Sequence, residues 1–160
     1  VVLTGRGDAR MSVAPSCATN CLATLADAVA KKTRAVRNIV GDATFFPDQR
    51  WSPGMSWNNI PSSSGTAIAA LSLDDNEIAA TVTPGPAGAP PVVALPGYFS
   101  VENHARTVAG DGEALAYDRL PGSRVLVVTG TIGAAQAPVS WRVGVDDPAH
   151  YTAWQLGEML

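Results

Sequence analysis

Residues 41–76 read GDATFFPDQRWSPGMSWNNIPSSSGTAIAALSLDDN, and this stretch holds the strongest signals for the fold. Its first part, residues 43–64, has neither helical nor strand periodicity, and we predict a long loop there. Loops of this length are uncommon in compact domains and are often functional. Two apolar runs follow at residues 67–73 and 77–83, and the turn-forming sequence Asp-Asp-Asn at 74–76 joins them. This pattern predicts two strands with a tight connection. The loop carries five large apolar side chains: Phe45, Phe46, Trp51, Met55 and Trp57.

Further apolar runs predict that the chain is rich in β-sheet. Residues 124–132 include the unbroken run Val-Leu-Val-Val, which favours a central strand covered on both faces. Val139, Trp141 and Val143 alternate with polar residues, as in a half-buried strand. Gly and Pro, at 15 and 12 residues, cluster between the runs and indicate many turns. Shorter strands are predicted at residues 1–4, 36–40, 92–95, 98–102 and 114–117.

Two stretches favour helices. The first begins at Thr19 or Asn20, both suited to an N-cap, and apolar residues then recur at helical spacing as far as Val29. The second begins at Asp147, which can cap free amides, and Pro148 suits the first helical position because its missing N–H would be unpaired. Together these patterns predict an α+β fold that is dominated by sheet and has two main helices.

Composition excludes several functional classes. The chain has 160 residues, and a chain of this length can bury about 70% of its unfolded surface. Hydrophobic residues make up 46% and charged residues 16%, as in an ordinary globular domain. A formal net charge of −3 argues against nucleic acid, since phosphate contacts need clustered Lys and Arg. The one basic cluster, residues 31–37, is interpreted as the solvated end of a helix. No apolar run approaches the ~20 residues of a membrane span.

The two cysteines, Cys17 and Cys21, leave two interpretations open. Four residues apart on a helix, their Cα atoms would lie about 6 Å apart, which is within the range of a disulfide. The same spacing is compatible with two reduced, half-buried thiols. His104 and His150 are too far away in sequence to complete a local zinc site, so we predict neither a metal nor a cofactor.

Several ordered motifs resemble one enzyme family. They are residues 3–12 (LTGRGDARMS), 41–76, 82–88 (VTPGPAG), 97–108 (GYFSVENHARTV) and 143–156 (VGVDDPAHYTAWQL). In this order they are similar to the D-alanyl-D-alanine carboxypeptidase/endopeptidases, the class C penicillin-binding proteins of low molecular mass. The resemblance covers nearly the whole chain.

The catalytic motifs of that family, SxxK, SxN and KTG, are what the chain lacks. No serine is followed by lysine three residues on, Lys32-Thr33 is followed by Arg34, and Ser56-Trp57-Asn58 matches SxN only in form. The resemblance therefore implies that residues 1–160 are a non-catalytic accessory region, inserted between SxxK and SxN, with no catalytic residue of its own. The start at Val1 and the end inside a helical pattern favour a segment of a longer protein.

By the same resemblance, residues 1–70 and 115–160 would form an outer lobe and residues 71–114 an inserted β-rich lobe. The family's Trp-Asp-Asp and tyrosine segment, which helps to bind the amino-bearing side chain of the substrate, aligns with residues 57–64. Trp57, Asn59 and Ser64 are thus the predicted substrate-binding residues, and Asn59 and Ser64 depart from the family's acid and tyrosine. A structural interpretation competes with this one: Trp51 and Trp57 pin the long loop to its lobe.

The function implied is that of an accessory region of a serine-type D-Ala-D-Ala carboxypeptidase/endopeptidase acting on peptidoglycan stem peptides in the periplasm or cell envelope. Its partners would be the catalytic domain of the same parent chain and the stem peptide. An exported parent would favour the disulfide. The alternative, suggested by Asn59 and Ser64, is a non-catalytic binding or structural module of the cell envelope.

Overall fold

The computed structural model describes all residues from 1 to 160 and has nine strands and two helices, which confirms an α+β fold dominated by sheet. The strands are β1 (Val2–Thr4), β2 (Val40–Asp42), β3 (Glu77–Thr83), β4 (Val92–Ala94), β5 (Ser100–Asn103), β6 (Arg106–Val108), β7 (Glu113–Asp118), β8 (Val125–Gly133) and β9 (Val139–Gly144). The helices are α1 (Leu22–Ala30) and α2 (Pro148–Glu158). Neither α1 nor α2 has the length and apolar character that a membrane span requires.

The chain divides into two compact units. The first unit holds residues 1–55, 65–77 and 145–160, and the second holds 56–64 and 78–144. Residues 115–144 thus lie in the second unit, whereas the family resemblance assigned them to an outer lobe. The lobes of a parent protein, 1–70 with 115–160 and 71–114, stay a prediction.

In the first unit, β1 and β2 form a two-stranded parallel sheet in which Val2 is opposite Val40. Helix α2 packs against β2, and Gly41 makes this possible because a Cβ atom at that position would collide with the backbone of Ala149. Helix α1 buries Leu22 and Ala26. The buried side chains of the two helices and of residues 67–73 form the core of this unit.

The start of α2 follows the sequence prediction. The Asp147 carboxylate accepts a hydrogen bond from the His150 backbone N–H at 3.1 Å, and Pro148 occupies the first turn. The Thr152 hydroxyl, fully buried, donates to the Pro148 carbonyl at 2.7 Å. Helix α2 buries five side chains: Pro148, Tyr151, Thr152, Ala153 and Leu156.

The second unit contains two sheets. In one, β3 lies between β4 and β9. In the other, β5 and β6 pair with β8 in parallel and in one continuous register, with Ser100 opposite Val125 and Arg106 opposite Thr131. Strand β7 pairs with β8 in the antiparallel sense and takes its opposite edge. The alternation predicted for β9 is confirmed, since Val143 is fully buried and Arg142 is exposed.

Five expectations of secondary structure were wrong in detail, and the first four concern α1, β2, β8 and β6. Helix α1 begins at Leu22 with Cys21 as N-cap, because Asn20 adopts a positive φ of 59°. The strand expected at 36–40 lies at Val40–Asp42. Strand β8 is covered mainly on one face, since Val125 is 40% exposed while Leu126 is fully buried. Strand β6, which has only three residues, was missed.

The fifth error, the strand expected at 67–73, has a clear physical cause. These residues are apolar because Ala67, Leu71 and Leu73 are buried, but the segment pairs only through one isolated bridge between Asp8 and Leu71. It ends in three consecutive left-handed residues, 74–76, with φ of 48°, 57° and 57°. Asp and Asn tolerate that conformation better than most residues. The apolar pattern of residues 67–73 correctly indicates that they are buried, but they are buried without pairing along a neighbouring strand.

Candidate functional site

The predicted substrate-binding residues lie in the segment 56–64 of the second unit. A 3-10 turn spans Trp57–Asn59, and a second begins at Ser63. Between the turns the chain is anchored by Ile60, which is 3% exposed, and by the Pro61 carbonyl, which accepts from the Gly144 N–H at 2.8 Å. An isolated bridge between Ser62 and Val143 adds to this anchor. The two turns are therefore anchored to the end of β9.

All three predicted side chains are exposed on this base. Trp57 is 74% exposed, and Asn59 and Ser64 are exposed as well. Trp57 and Asn59 share the first turn, which the Ile60 backbone N–H closes by donating to the Trp57 carbonyl at 3.2 Å. The segment can thus present an indole for stacking and a neutral amide for hydrogen bonding. It presents no charge of its own at these positions.

The structural interpretation of the tryptophans holds for Trp51 and fails for Trp57. In the first unit, the Trp51 indole N–H donates to the Gly65 carbonyl at 2.7 Å. The side chain of Trp57 is largely in solvent, so it does not pin the loop. The sequence gives no signal that separates the two, because both are aromatic residues of one long loop.

A cleft of about 330 Å³ in the first unit was missed by sequence reasoning. It lies at the start of α2, where Arg50 donates to the Asp146 carbonyl at 2.5 Å and approaches the Asp147 carboxylate at 3.5 Å. Its apolar walls include Phe46 and Ile68, the latter 64% exposed. Arg50 and Asp147 are 97 residues apart, so no local pattern could indicate the pair.

Shifts of pKa in the chain have structural causes. Hydrogen bonds from the Thr44 side chain and backbone lower the pKa of Asp42, and the backbone of Arg10 lowers that of Asp8. Burial raises the pKa of Tyr151 to about 12, with a smaller contribution from the charge of Asp74. The structure also holds no group of three or more His, Cys, Asp or Glu side chains suited to a metal ion.

Cys17 and Cys21 form a disulfide with their Cα atoms 5.7 Å apart. Cys21 is the N-cap of α1 and makes no capping hydrogen bond with its side chain. The disulfide therefore fixes the start of α1 in place of a capping oxygen.

Comparison with known proteins covers the whole chain. Residues 1–160 match the model of the D-Ala-D-Ala carboxypeptidase 3 (S13) family. The chain is 32% identical, over 169 residues, to a D-alanyl-D-alanine carboxypeptidase of Actinomadura sp. (strain R39), and the alignment covers 99% of this chain and 30% of that protein.

Two solved structures share the fold. The crystal structure of penicillin binding protein 4 from Haemophilus influenzae matches with a TM-score of 0.66 and 17% identity, covering 99% of this chain and 36% of the other. A second structure of that protein, complexed with a β-lactam, matches with a TM-score of 0.54 and 18% identity, covering 99% and 34%. The chain thus spans 30% to 36% of the length of these relatives.

Proposed function

The chain belongs to the D-Ala-D-Ala carboxypeptidase 3 (S13) family, and from that membership we propose that residues 1–160 are the accessory region of a serine-type D-Ala-D-Ala carboxypeptidase/endopeptidase. The proposal rests on the difference between the share of this chain and the share of its relative that the alignment covers. The match takes in 99% of the chain but 30% of a carboxypeptidase, and the chain has no SxxK or KTG motif. The catalytic part then lies outside this segment, which would be inserted between SxxK and SxN.

In the proposed parent protein, a serine outside residues 1–160 is acylated by a peptidoglycan stem peptide. The peptide bond to the terminal D-alanine breaks, D-alanine leaves, and water then hydrolyses the acyl-enzyme. Because its substrate would be peptidoglycan, the parent protein would act in the periplasm or elsewhere in the cell envelope. A disulfide between Cys17 and Cys21 suits such an oxidising compartment.

The contribution of this chain would be one wall of the substrate cleft. The exposed turn of Trp57 and Asn59, together with Ser64, offers stacking and hydrogen bonding on a base held by Ile60 and Pro61. An amide oxygen at Asn59 accepts a hydrogen bond from an ammonium group but supplies no full charge. We therefore expect weaker selectivity for amino-bearing stem-peptide side chains than an aspartate would give.

Labelled penicillin tests the proposal directly. The 160-residue chain should remain unlabelled and should release no D-alanine from a stem peptide. The longest native protein that contains residues 1–160 should bind one label covalently per molecule. Stoichiometric labelling of the 160-residue chain would overturn the assignment as a non-catalytic region.

A second candidate function is a non-catalytic binding or structural module of the cell envelope. The neutral residues Asn59 and Ser64 favour it, because a protein that does not catalyse hydrolysis does not need the acidic residue with which the family binds its substrate. The coding sequence on both sides of residues 1–160 separates the two candidates. An SxxK motif upstream with SxN and KTG downstream supports the peptidase, and flanks without them support the module.

A further inference from the structure

The cleft of about 330 Å³ at the start of α2 lies beyond the carboxyl end of β2. Ala43 and Thr44, which follow that strand, form part of its lining, and so do Pro148 and Ala149 of α2. The carboxyl ends of parallel strands, beside the start of a helix, are where sheets flanked by helices bind ligands. The volume is at the lower end of the range for small-molecule sites. The proposed stem-peptide wall makes no use of this cleft, because that wall belongs to the second unit.

Contacts within the first unit hold the walls of the cleft in place. The Ile68 N–H donates to the Arg50 carbonyl at 2.9 Å, and the Arg50 guanidinium donates to the Asp146 carbonyl. The ring of Phe46 lies against Gly7, where an added Cβ atom would come within 2.8 Å of the ring. The cleft is therefore formed before any ligand binds, which lowers the entropic cost of binding.

The lining combines an apolar surface with charged groups. Its largest apolar side chains are Phe46 and Ile68, and Ile68 is 64% exposed. The charged groups are one guanidinium and two carboxylates, those of Arg50, Asp48 and Asp147. A ligand that fits this lining has an apolar face and several polar groups along one side.

The charges of the cleft are paired, but their capacity for hydrogen bonds is not used up. Arg50 approaches Asp48 at 3.6 Å and Asp147 at 3.5 Å, whereas a direct bond between such groups is about 2.7–2.9 Å long. An ammonium ligand would compete with the guanidinium for both carboxylates, and an anion would be repelled by them. A hydroxyl group donates to a carboxylate and accepts from a guanidinium, so neighbouring hydroxyls bind both kinds of group at once.

We propose that this cleft binds a saccharide, namely the glycan strand of peptidoglycan. One face of a pyranose ring consists of C–H groups, which pack on Phe46 and Ile68. The hydroxyls at the edge of the ring reach Asp48, Arg50 and Asp147. The choice of peptidoglycan rests on the proposed function, in which the parent protein acts on the stem peptides of the same polymer. The cleft then retains the protein on the polymer while the catalytic part acts on the peptides.

Binding to glycan strands that have been stripped of their stem peptides tests the inference. The longest native protein that contains residues 1–160, first saturated with penicillin, should sediment with these strands and bind tetramers of N-acetylglucosamine in calorimetry. Phe46→Ala and Asp48→Ala should each weaken the binding about tenfold, because each removes one part of the lining.

Two variants serve as matched controls and should bind like the wild type. Phe45→Ala removes the neighbouring ring, which is exposed but does not line the cleft. Asp27→Ala removes an exposed carboxylate from α1 of the same unit. If Phe46→Ala fails to fold, Asp48→Ala still decides, since the Asp48 side chain is 92% exposed and its loss should leave the Tm unchanged.

A wild-type protein that binds neither the stripped strands nor the tetramers would overturn the inference. Equal binding by the cleft variants and their controls would also overturn it, because the glycan would then bind elsewhere. Displacement of the tetramers by free stem peptide would overturn it as well, since the cleft would then be a peptide site. Glycan binding by a protein that takes no penicillin label would support the cleft while rejecting the proposed peptidase, so the two failures are distinguishable.

Discussion

The indole N–H of Trp51 donates a hydrogen bond to the backbone carbonyl of Gly65 at a distance of 2.7 Å. Trp51 is half-buried and Gly65 is buried, so this bond is shielded from water and ties the long loop to its own unit. Arg50 adds a second tie through the Asp146 carbonyl. Neighbouring side chains thus fix the loop from two directions.

Trp51→Phe is expected to lower the free energy of unfolding by about 1–3 kcal/mol, because the Gly65 carbonyl is left buried without a donor. Urea denaturation followed by circular dichroism measures the change. Trp57→Phe is the matched control, since Trp57 is 74% exposed, and its effect should stay within about 0.5 kcal/mol. Equal losses in the two variants would contradict the assignment of Trp51 as the anchor.

Reduction of the disulfide between Cys17 and Cys21 is expected to lower the free energy of unfolding by about 2 kcal/mol. The loss is at the lower end for disulfides, because this one closes a very short loop in the unfolded chain. Thermal unfolding with and without a reductant measures the loss. The double variant Cys17→Ser/Cys21→Ser should unfold at the temperature of the reduced protein and should not respond to the reductant. A reductant effect of the same size in the double variant would show that the disulfide is not its cause.

Elements with a complete local signal were predictable from the sequence. Strand β3 was predicted at its observed bounds, and α2 begins where Asp147 and Pro148 indicated. The conformation of residues 67–73 was not predictable, because their apolar character reflects burial, whereas a strand also needs a pairing partner that only the tertiary fold could supply. Pairing of Val2 with Val40 likewise depends on contacts that no local window contains.

The candidate site was predictable in outline through the family resemblance alone. Residues 57–64 were selected by alignment, and the structure shows that this segment is exposed on an anchored turn. Hydropathy could not separate exposed Trp57 from half-buried Trp51, because both have the same side chain in one aperiodic loop. The ion pair of Arg50 and Asp147 joins segments that are far apart in the sequence, so no local sequence pattern could indicate it.

Asp147→Ala is expected to destabilise α2 by about 1 kcal/mol, since it removes the acceptor for the His150 N–H. Asp147→Asn is the informative comparison, because asparagine caps helices as well as aspartate but cannot pair with Arg50. Its cost should be smaller, about 0–1 kcal/mol, given that both partners of the ion pair are partly exposed. Chemical denaturation of the two variants at low and high salt measures this, and an equal loss in both would assign the effect to the ion pair.

Tyr151 should make the protein sensitive to alkaline pH. Burial raises its pKa to about 12, whereas the phenol in the unfolded chain loses its proton near pH 10. Between these values the unfolded state binds fewer protons, so stability that is present below about pH 10 falls as the pH rises, by up to about 2–3 kcal/mol. Tyr151→Phe should flatten this decline in urea titrations from pH 9 to pH 12. Tyr117→Phe, at a half-buried position, should retain it, and an unchanged slope in Tyr151→Phe would contradict the prediction.

Asn59→Asp, made in the longest native protein that contains residues 1–160, tests the proposed substrate wall. A carboxylate at this exposed turn would form an ion pair with the ammonium group that it accepts a hydrogen bond from, whereas the amide accepts the hydrogen bond without adding a charge. We expect kcat/KM for stem peptides with an amino-bearing side chain to rise about tenfold over that for peptides without it, since such bonds are stronger by about 1–1.5 kcal/mol.

Asn58→Asp is the matched control, because it adds the same charge at the adjacent position of the same turn, where the Asn58 side chain accepts from Ser56 at 2.5 Å. It should leave the preference between the two peptides unchanged. Since both asparagines are exposed, neither change should alter the unfolding midpoint, which separates an effect on recognition from one on folding. An equal gain from Asn58→Asp would indicate general attraction of the cationic peptide, and no gain from Asn59→Asp would place the substrate's amino group elsewhere.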